Sequence, residues 1–214
     1  MAKAIDMIMI LLVFTDLVAM GSSRMRMCIQ TVAIQGLLIG LMPLVMHVSA
    51  LSLHLVLFAI AIILLKSIVF PWMLSRAMRE VDASREVEPF VGYGTSLLAG
   101  PLVLIGCIWL SSRFVPPIEM ISSLVVPAAF FTIATGFFLI IARRKAVTQV
   151  LGYLMLENGI YAFGLPMAKE QPFVVELGIL LDVFVAVFVM GIMVFHINRE
   201  FDHIDTDQMT NLKG

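Results

Sequence analysis

The chain has 214 residues, of which 61% are hydrophobic and only 14% charged, with a formal net charge of −1. Soluble domains are about half apolar and about a quarter charged, so this composition is that of an integral membrane protein. It carries no sign of nucleic-acid binding. Its two cysteines, Cys28 and Cys107, stand far apart without a CxxC pair, which argues against an iron–sulfur cluster or zinc site held by this chain alone.

A bilayer core about 30 Å thick takes roughly 20 apolar residues as helix. Seven such runs are predicted, over 4–21, 27–47, 51–75, 95–112, 121–142, 148–168 and 173–197. The first lies in "MAKAIDMIMILLVFTDLVAM", which carries Asp6 and Asp16 and lacks a small-x-small cleavage site. It is therefore read as a mature helix rather than a signal peptide. "GSSRMR" ends it, and the weakly polar "HVSALSLH" separates the second run from the third through His47, Ser49, Ser52 and His54. The one long break, "SRAMREVDASREVEPFVGYG", follows the third run. "SSRFVPPIE", "ARRKAV" and "AKEQPF" follow the fourth, fifth and sixth, and the tail from about 198 is polar. The expected fold is all-α, a polytopic membrane protein with seven transmembrane helices. Pro116–Pro117 is the natural seam: a four-helix part over 1–116, a three-helix part over 117–198 and a polar tail over 199–214.

Lysine and arginine set the expected orientation. Arg24, Arg26, Arg76, Arg79, Arg85, Arg143, Arg144, Lys145, Arg199 and Lys213 all fall on one side, against Lys3, Arg113 and Lys169 on the other. The amino terminus is thus expected outside and the carboxy terminus in the cytoplasm, with the basic turn Arg143–Lys145 read as a topology determinant. No GxGxxG, P-loop or metal-ligand spacing occurs. His47, His54, His196 and His203 are scattered near helix ends, and the Met richness reads as adaptable packing.

What remains is a small set of ionisable groups inside apolar runs, each costing about 2.5–3.5 kcal/mol on insertion scales. Glu157 is near the middle of the sixth run, in "VLGYLMLENGIYAFG"; Asp182 lies outward of the centre of the seventh, and Lys66 inward of the centre of the third. Gln149, Tyr153, Glu157 and Tyr161 recur every four residues and so share one helix face. Gly178, Asp182, Ala186, Met193 and His196 fall near one face of the seventh run. Burial and neighbouring charge together poise such carboxyls for loading and unloading of protons. Glu157 and Asp182 are the main candidate stations and Lys66 a relay or charge modulator. Tyr153, Tyr161, Asp16 and His196 are candidates for holding water on the route. Waters, or carboxylates of another subunit, are expected between these groups. Competing readings make Glu157 and Lys66 a structural ion pair, let Lys66 snorkel to the interface, and leave Asp16 at the interface.

Two stretches carry a family resemblance. "ARRKAVTQVLGYLMLENGIYAFG" and "ELGILLDVFVAVFVMGIMVFHINREFD" resemble the K subunit of respiratory complex I and the C subunit of multi-subunit sodium/proton antiporters over roughly 120–198. Across the whole chain, with "LLKSIVFPWMLSRAMREV" in the third run and "LLDVFVAVFVMGI" in the last, the sequence is similar to the hydrogenase-4 component E family. That family belongs to the membrane arm of group 4 [NiFe]-hydrogenase and formate hydrogenlyase complexes. The resemblance places Glu157 and Asp182 on the family's proton-carrying hydrophilic axis, although complex I has a glutamate where this chain has Asp182. The Lys66–Ser67…Phe70–Pro71 run also resembles, more weakly, the lysine helices of antiporter-like subunits.

The resulting expectation is a subunit that is not an enzyme by itself, in the inner (cytoplasmic) membrane, within a redox-driven ion-translocating complex. Antiporter-like subunits, a membrane-anchoring subunit and a peripheral hydrogenase arm are the implied partners. Nickel–iron and iron–sulfur centres are expected in those partners and no cofactor in this chain. The alternatives are a cation/proton antiporter subunit without a redox arm and a purely structural linker of the membrane arm.

Overall fold

The computed structural model describes residues 2–48, 51–80, 92–114, 122–143, 146–167 and 191. Among them the structure is helical and contains no strand. The helices are α1 (Ala2–Gly21), α2 (Met25–Met46), α3 (Leu53–Ile63), a π-helical segment (Leu64–Val69), α4 (Phe70–Glu80), α5 (Tyr93–Arg113), α6 (Val125–Ala142) and α7 (Ala146–Gly164). A short 3₁₀ turn, Leu165–Met167, ends the described part of α7. Among the described residues five stretches are long and apolar enough to cross a membrane: Ala2–Gly21, Met25–Met46, Leu53–Arg76, Gly94–Arg113 and Val125–Ala142. They correspond to the first five predicted runs. The weak break after the second run does separate two helices, and Ser52 caps the next one by accepting the Leu55 N–H. The sixth predicted run forms as α7, which carries Gln149, Glu157 and Asn158. The seventh, over 173–197, lies outside the described residues.

The third run is not one uniform α-helix. Between α3 and α4 it widens into the π-helical segment, where the Phe70 N–H reaches back five residues to the Leu65 carbonyl. Pro71 supplies the local cause. It has no N–H to offer the Ser67 carbonyl, and its ring crowds that carbonyl in α geometry. A wider turn just before the proline relieves both problems.

α6 and α7 form an antiparallel pair across the short turn at Arg143, and they pack at the distance of bare backbones. A Cβ added to Gly136 of α6 would stand 2.5 Å from the Leu156 nitrogen and 2.6 Å from the Gly152 carbonyl. One added to Gly152 of α7 would stand 2.8 Å from the Gly136 carbonyl. Small residues give this close approach in membranes, where lipid tails supply no hydrophobic drive between helices. α1 and α2 then pack on α6 and α7, α3 and α4 pack on α2, and α5 rests against α1 and α6.

The buried apolar residues fall into two principal clusters at opposite ends of this bundle. One joins Ala19, Met25, Ile29, Phe70, Leu139 and Leu151. The other joins Met9, Leu12, Ile39, Ile62, Ala129 and Ala162. Every helix that contributes to both crosses from one to the other through a buried polar residue.

The helix pair makes a clear prediction. Gly136→Ala overpacks the α6–α7 contact and costs about 1–3 kcal/mol, seen as a lower melting temperature of the detergent-solubilised chain. Gly106→Ala in α5, where an added Cβ meets nothing within 4 Å, leaves the melting temperature unchanged or raises it.

Candidate functional site

The site begins with Lys66, in the middle of the π-helical segment. Its side chain is buried, only 3% exposed. The backbone that carries it lies directly on α2: a Cβ added to Gly36 would meet the Lys66 carbonyl carbon at 2.7 Å. Glycine at position 36 therefore admits the widened turn to the interior and aims the ammonium away from lipid. The Lys66 Nζ donates to Glu157 Oε1 at 2.6 Å, and the Glu157 side chain is 1% exposed. One turn along α7, the Tyr161 ring lies 5.6 Å from Nζ, within range of a cation–π contact. The four-residue stripe of α7 thus presents both Glu157 and Tyr161 to the same lysine. Lower on that stripe Tyr153 is half-buried against the apolar cluster, and the Gln149 amide donates to the Arg143 carbonyl at 3.3 Å.

A second polar group lies on the far side of α2. Asp16 of α1 is completely buried. Its Oδ1 accepts from Gln35 Nε2 at 2.7 Å and its Oδ2 accepts from the Thr132 hydroxyl of α6 at 2.7 Å. Gln35 also donates to the Thr15 hydroxyl at 3.1 Å, and its Oε1 accepts from Asn158 Nδ2 at 3.5 Å, the outer limit of a hydrogen bond. Asn158 is the neighbour of Glu157. Lys66, Glu157, Asn158, Gln35, Asp16 and Thr132 therefore make one polar layer drawn from five helical elements. Ile62, Leu12, Ile39, Ala129 and Ala162 lie on one side of it, and Phe70, Ala19, Ile29, Leu139 and Leu151 on the other.

The sequence-predicted groups divide clearly. Glu157 and Lys66 meet directly, so neither water nor another subunit's carboxylate is needed between them, and Lys66 does not snorkel. Asp16 is not open to the surface: among the described residues its side chain is fully buried, between Gln35 of α2 and Thr132 of α6. Arg143 is more than a topology marker. It is buried, and its Nη2 donates to the Met20 carbonyl at 2.9 Å, placing a cation where the last carbonyls of α1 need donors. Asp182 and His196 lie outside the described residues. Gln35, Thr15, Thr132 and Asn158 join the layer beyond the sequence-predicted groups; Gln35 and Asn158 carry a sequence signal, each as an amide in the apolar middle of its helix, and the two threonines carry none.

Comparison with known proteins bears on this arrangement. Residues 123–214 match the NADH-ubiquinone/plastoquinone oxidoreductase chain 4L family. The chain is 31% identical over 203 residues to "Uncharacterized protein Rv0085" of Mycobacterium tuberculosis, covering 94% of this chain and 92% of that one. It is 27% identical over 154 residues to hydrogenase-4 component E of Escherichia coli K12, covering 70% of this chain and 69% of that one. The chain belongs to the family of complex I-like membrane subunits. Hydrogenase-4 component E of Shigella flexneri is related to it to the same extent. No solved structure matches. The chain 4L match takes in α6 and α7, and with them Glu157, Asn158 and Thr132. Lys66, Gln35 and Asp16 stand before it, so this complex I-like subunit completes its polar layer with residues the chain 4L match does not cover.

The ion pair carries a stability prediction. Lys66→Met leaves Glu157 buried without its cation and costs about 3–5 kcal/mol, whereas pairing it with Glu157→Leu recovers most of the loss. Thermal melting of the two variants in detergent checks this, the recovery being the part that a general packing defect would not give.

Proposed function

We propose that the chain is a non-catalytic membrane-arm subunit of a redox-driven ion-translocating complex of the group 4 hydrogenase type, in which Glu157 is a proton-carrying station. The observation that carries this reading is the polar layer with the Lys66–Glu157 pair at its edge, sealed by apolar clusters on both sides. An ionisable pair in a bilayer interior is costly and is usually functional. Lys66 modulates the charge on Glu157: drawing the ammonium away favours the protonated carboxyl, and returning it favours release. The apolar clusters block travel across the membrane, so protons move in the plane of the layer, from helix to helix. On α7, Tyr153 and Tyr161 stand one turn to either side of Glu157, at the faces of the two apolar clusters, and hold water at the edges of the layer.

The proposal extends to a seven-helix chain with its amino terminus outside and its carboxy terminus in the cytoplasm, embedded in the inner membrane. The four-helix and three-helix parts meet at Pro116–Pro117. Asp182, on the last helix, is the second station, with His196 toward the cytoplasmic end of the same helix. Antiporter-like subunits and a membrane-anchoring subunit flank the chain. Electron transfer belongs to a peripheral hydrogenase arm, where partners hold the nickel–iron and iron–sulfur centres. What supports this is the likeness to hydrogenase-4 component E and to the chain 4L family, together with the buried charges.

The test uses the intact complex in proteoliposomes, with assembly checked. Glu157→Gln is expected to lower ion translocation about tenfold or more, equivalent to about 1.4 kcal/mol on the limiting barrier, and Asp182→Asn to act in the same direction. Any redox turnover that survives measures how tightly the two processes are coupled. Wild-type translocation in both assembled variants would sink the station reading and leave a structural linker.

A further inference from the structure

We propose that Asp16 is a further proton-binding station, linked to the Lys66–Glu157 pair through Gln35 and Asn158. The linkage rests on the reading of Glu157 as a proton station and adds a separate site from the part of the chain before the chain 4L match.

The first argument is charge. Both oxygens of the Asp16 carboxyl are engaged, but by neutral donors, the Gln35 amide and the Thr132 hydroxyl. Among the described residues no cation reaches it. Cys107 of α5 lies in the small apolar cluster with Met20 and Phe131, while α2 and α6 face Asp16 with Gln35 and Thr132, which do not titrate. Neutral hydrogen bonds offset only part of the cost of a buried charge, and the direct way for a carboxylate to shed that charge is to bind a proton.

The second argument is that the surroundings fit both states of the acid. The Thr132 hydroxyl has one proton and two acceptors in reach, Asp16 Oδ2 at 2.7 Å and the Ala128 carbonyl at 3.0 Å. With Asp16 charged, Thr132 donates to it. With a proton on Oδ2, Thr132 turns its own proton to Ala128 and accepts from Asp16. The Thr15 hydroxyl already donates to the Leu12 carbonyl at 2.7 Å and accepts from Gln35, so it is satisfied in both states. Protonation forms one O–H bond on the carboxylate and cancels one negative charge; deprotonation returns the proton to the layer. Neither step leaves these hydrogen-bonding groups without a partner, the situation that makes burial of a polar group costly.

The third argument is the link. Gln35 touches Asp16 with one end of its amide and Asn158, beside Glu157, with the other. The next residue, Gly36, bears on the backbone of Lys66. A single turn of α2 thus stands between the two sites and touches both. A change of charge at Asp16 reaches the ion pair through the Gln35 amide and through that backbone contact.

Infrared difference spectroscopy across a pH titration of the full chain in lipid nanodiscs tests the proposal without reference to transport. The expected result is a protonated-carboxyl C=O band that Asp16→Asn removes, with a titration midpoint displaced by about one pH unit or more in Glu157→Gln and in Gln35→Leu, as for interacting sites. Thr132→Val keeps the carboxyl and removes one donor, so a shift in the frequency of the same band assigns it even if Asp16→Asn does not fold. A titrating carboxyl spectrum indifferent to Asp16→Asn and Thr132→Val would overturn the station. A midpoint unmoved in both Glu157→Gln and Gln35→Leu would overturn the linkage. Failure of the Glu157 translocation test would leave these spectra as they are, so the two readings fail separately.

Discussion

A charge cannot be left alone in hydrocarbon, and the arrangement of this bundle follows from that constraint. Lys66 and Glu157 come from chain positions 91 residues apart, yet each makes sense inside a membrane only because the other is within 2.6 Å. To bring them together, the third run must widen into a π turn, α2 must offer a glycine where that turn presses in, and α7 must lie flush on α6. Substituting any one of these supports separates the charges or exposes one of them to lipid, where the penalty is several kcal/mol per ion.

The rest of the layer obeys the same logic with less at stake per group. Asp16, Gln35, Thr15, Thr132 and Asn158 are joined to one another by hydrogen bonds, and the two threonines also reach backbone carbonyls of their own helices; partners of this kind are what make buried polar groups tolerable. Because these residues lie at matching depth on α1, α2, α6 and α7, the bundle is layered: apolar, polar, apolar. A soluble protein of this size would place such groups at its surface. Here the surface is lipid, and the polar groups have only the interior.

The sequence showed the membrane class, the first six helices and the ionisable groups, because hydropathy and charge are local properties. Glu157 and Lys66 were legible as anomalies in apolar runs, and the four-residue stripe on α7 correctly joined Glu157 to Tyr161. What was not legible was pairing across helices. The direct Lys66–Glu157 pair is one of the competing readings the sequence allows, but nothing local decides for it, nor says that Asp16, five residues from the end of its helix, is covered by α2 and α6 rather than open to the interface. Nor does charge counting reveal that Arg143 turns inward to the end of α1. The π turn had a signal, Pro71 just after Lys66, but a proline announces only that the α register breaks and not how. Thr132 had none, since a threonine in an apolar helix ordinarily satisfies itself on the preceding turn.

The stacking of a polar layer between two apolar ones has an electrical meaning. Across its thickness the bundle is a dielectric: the membrane voltage falls over the apolar clusters on either side, and the polar layer lies between them at nearly uniform depth. A charge moving from Asp16 toward Glu157 travels along an equipotential surface and does almost no work against the voltage. In such a subunit the membrane potential cannot drive or oppose the lateral step. Under the proposed relay, its direction would be set by the groups at the two ends of the layer, and the work of crossing the field would fall outside the layer.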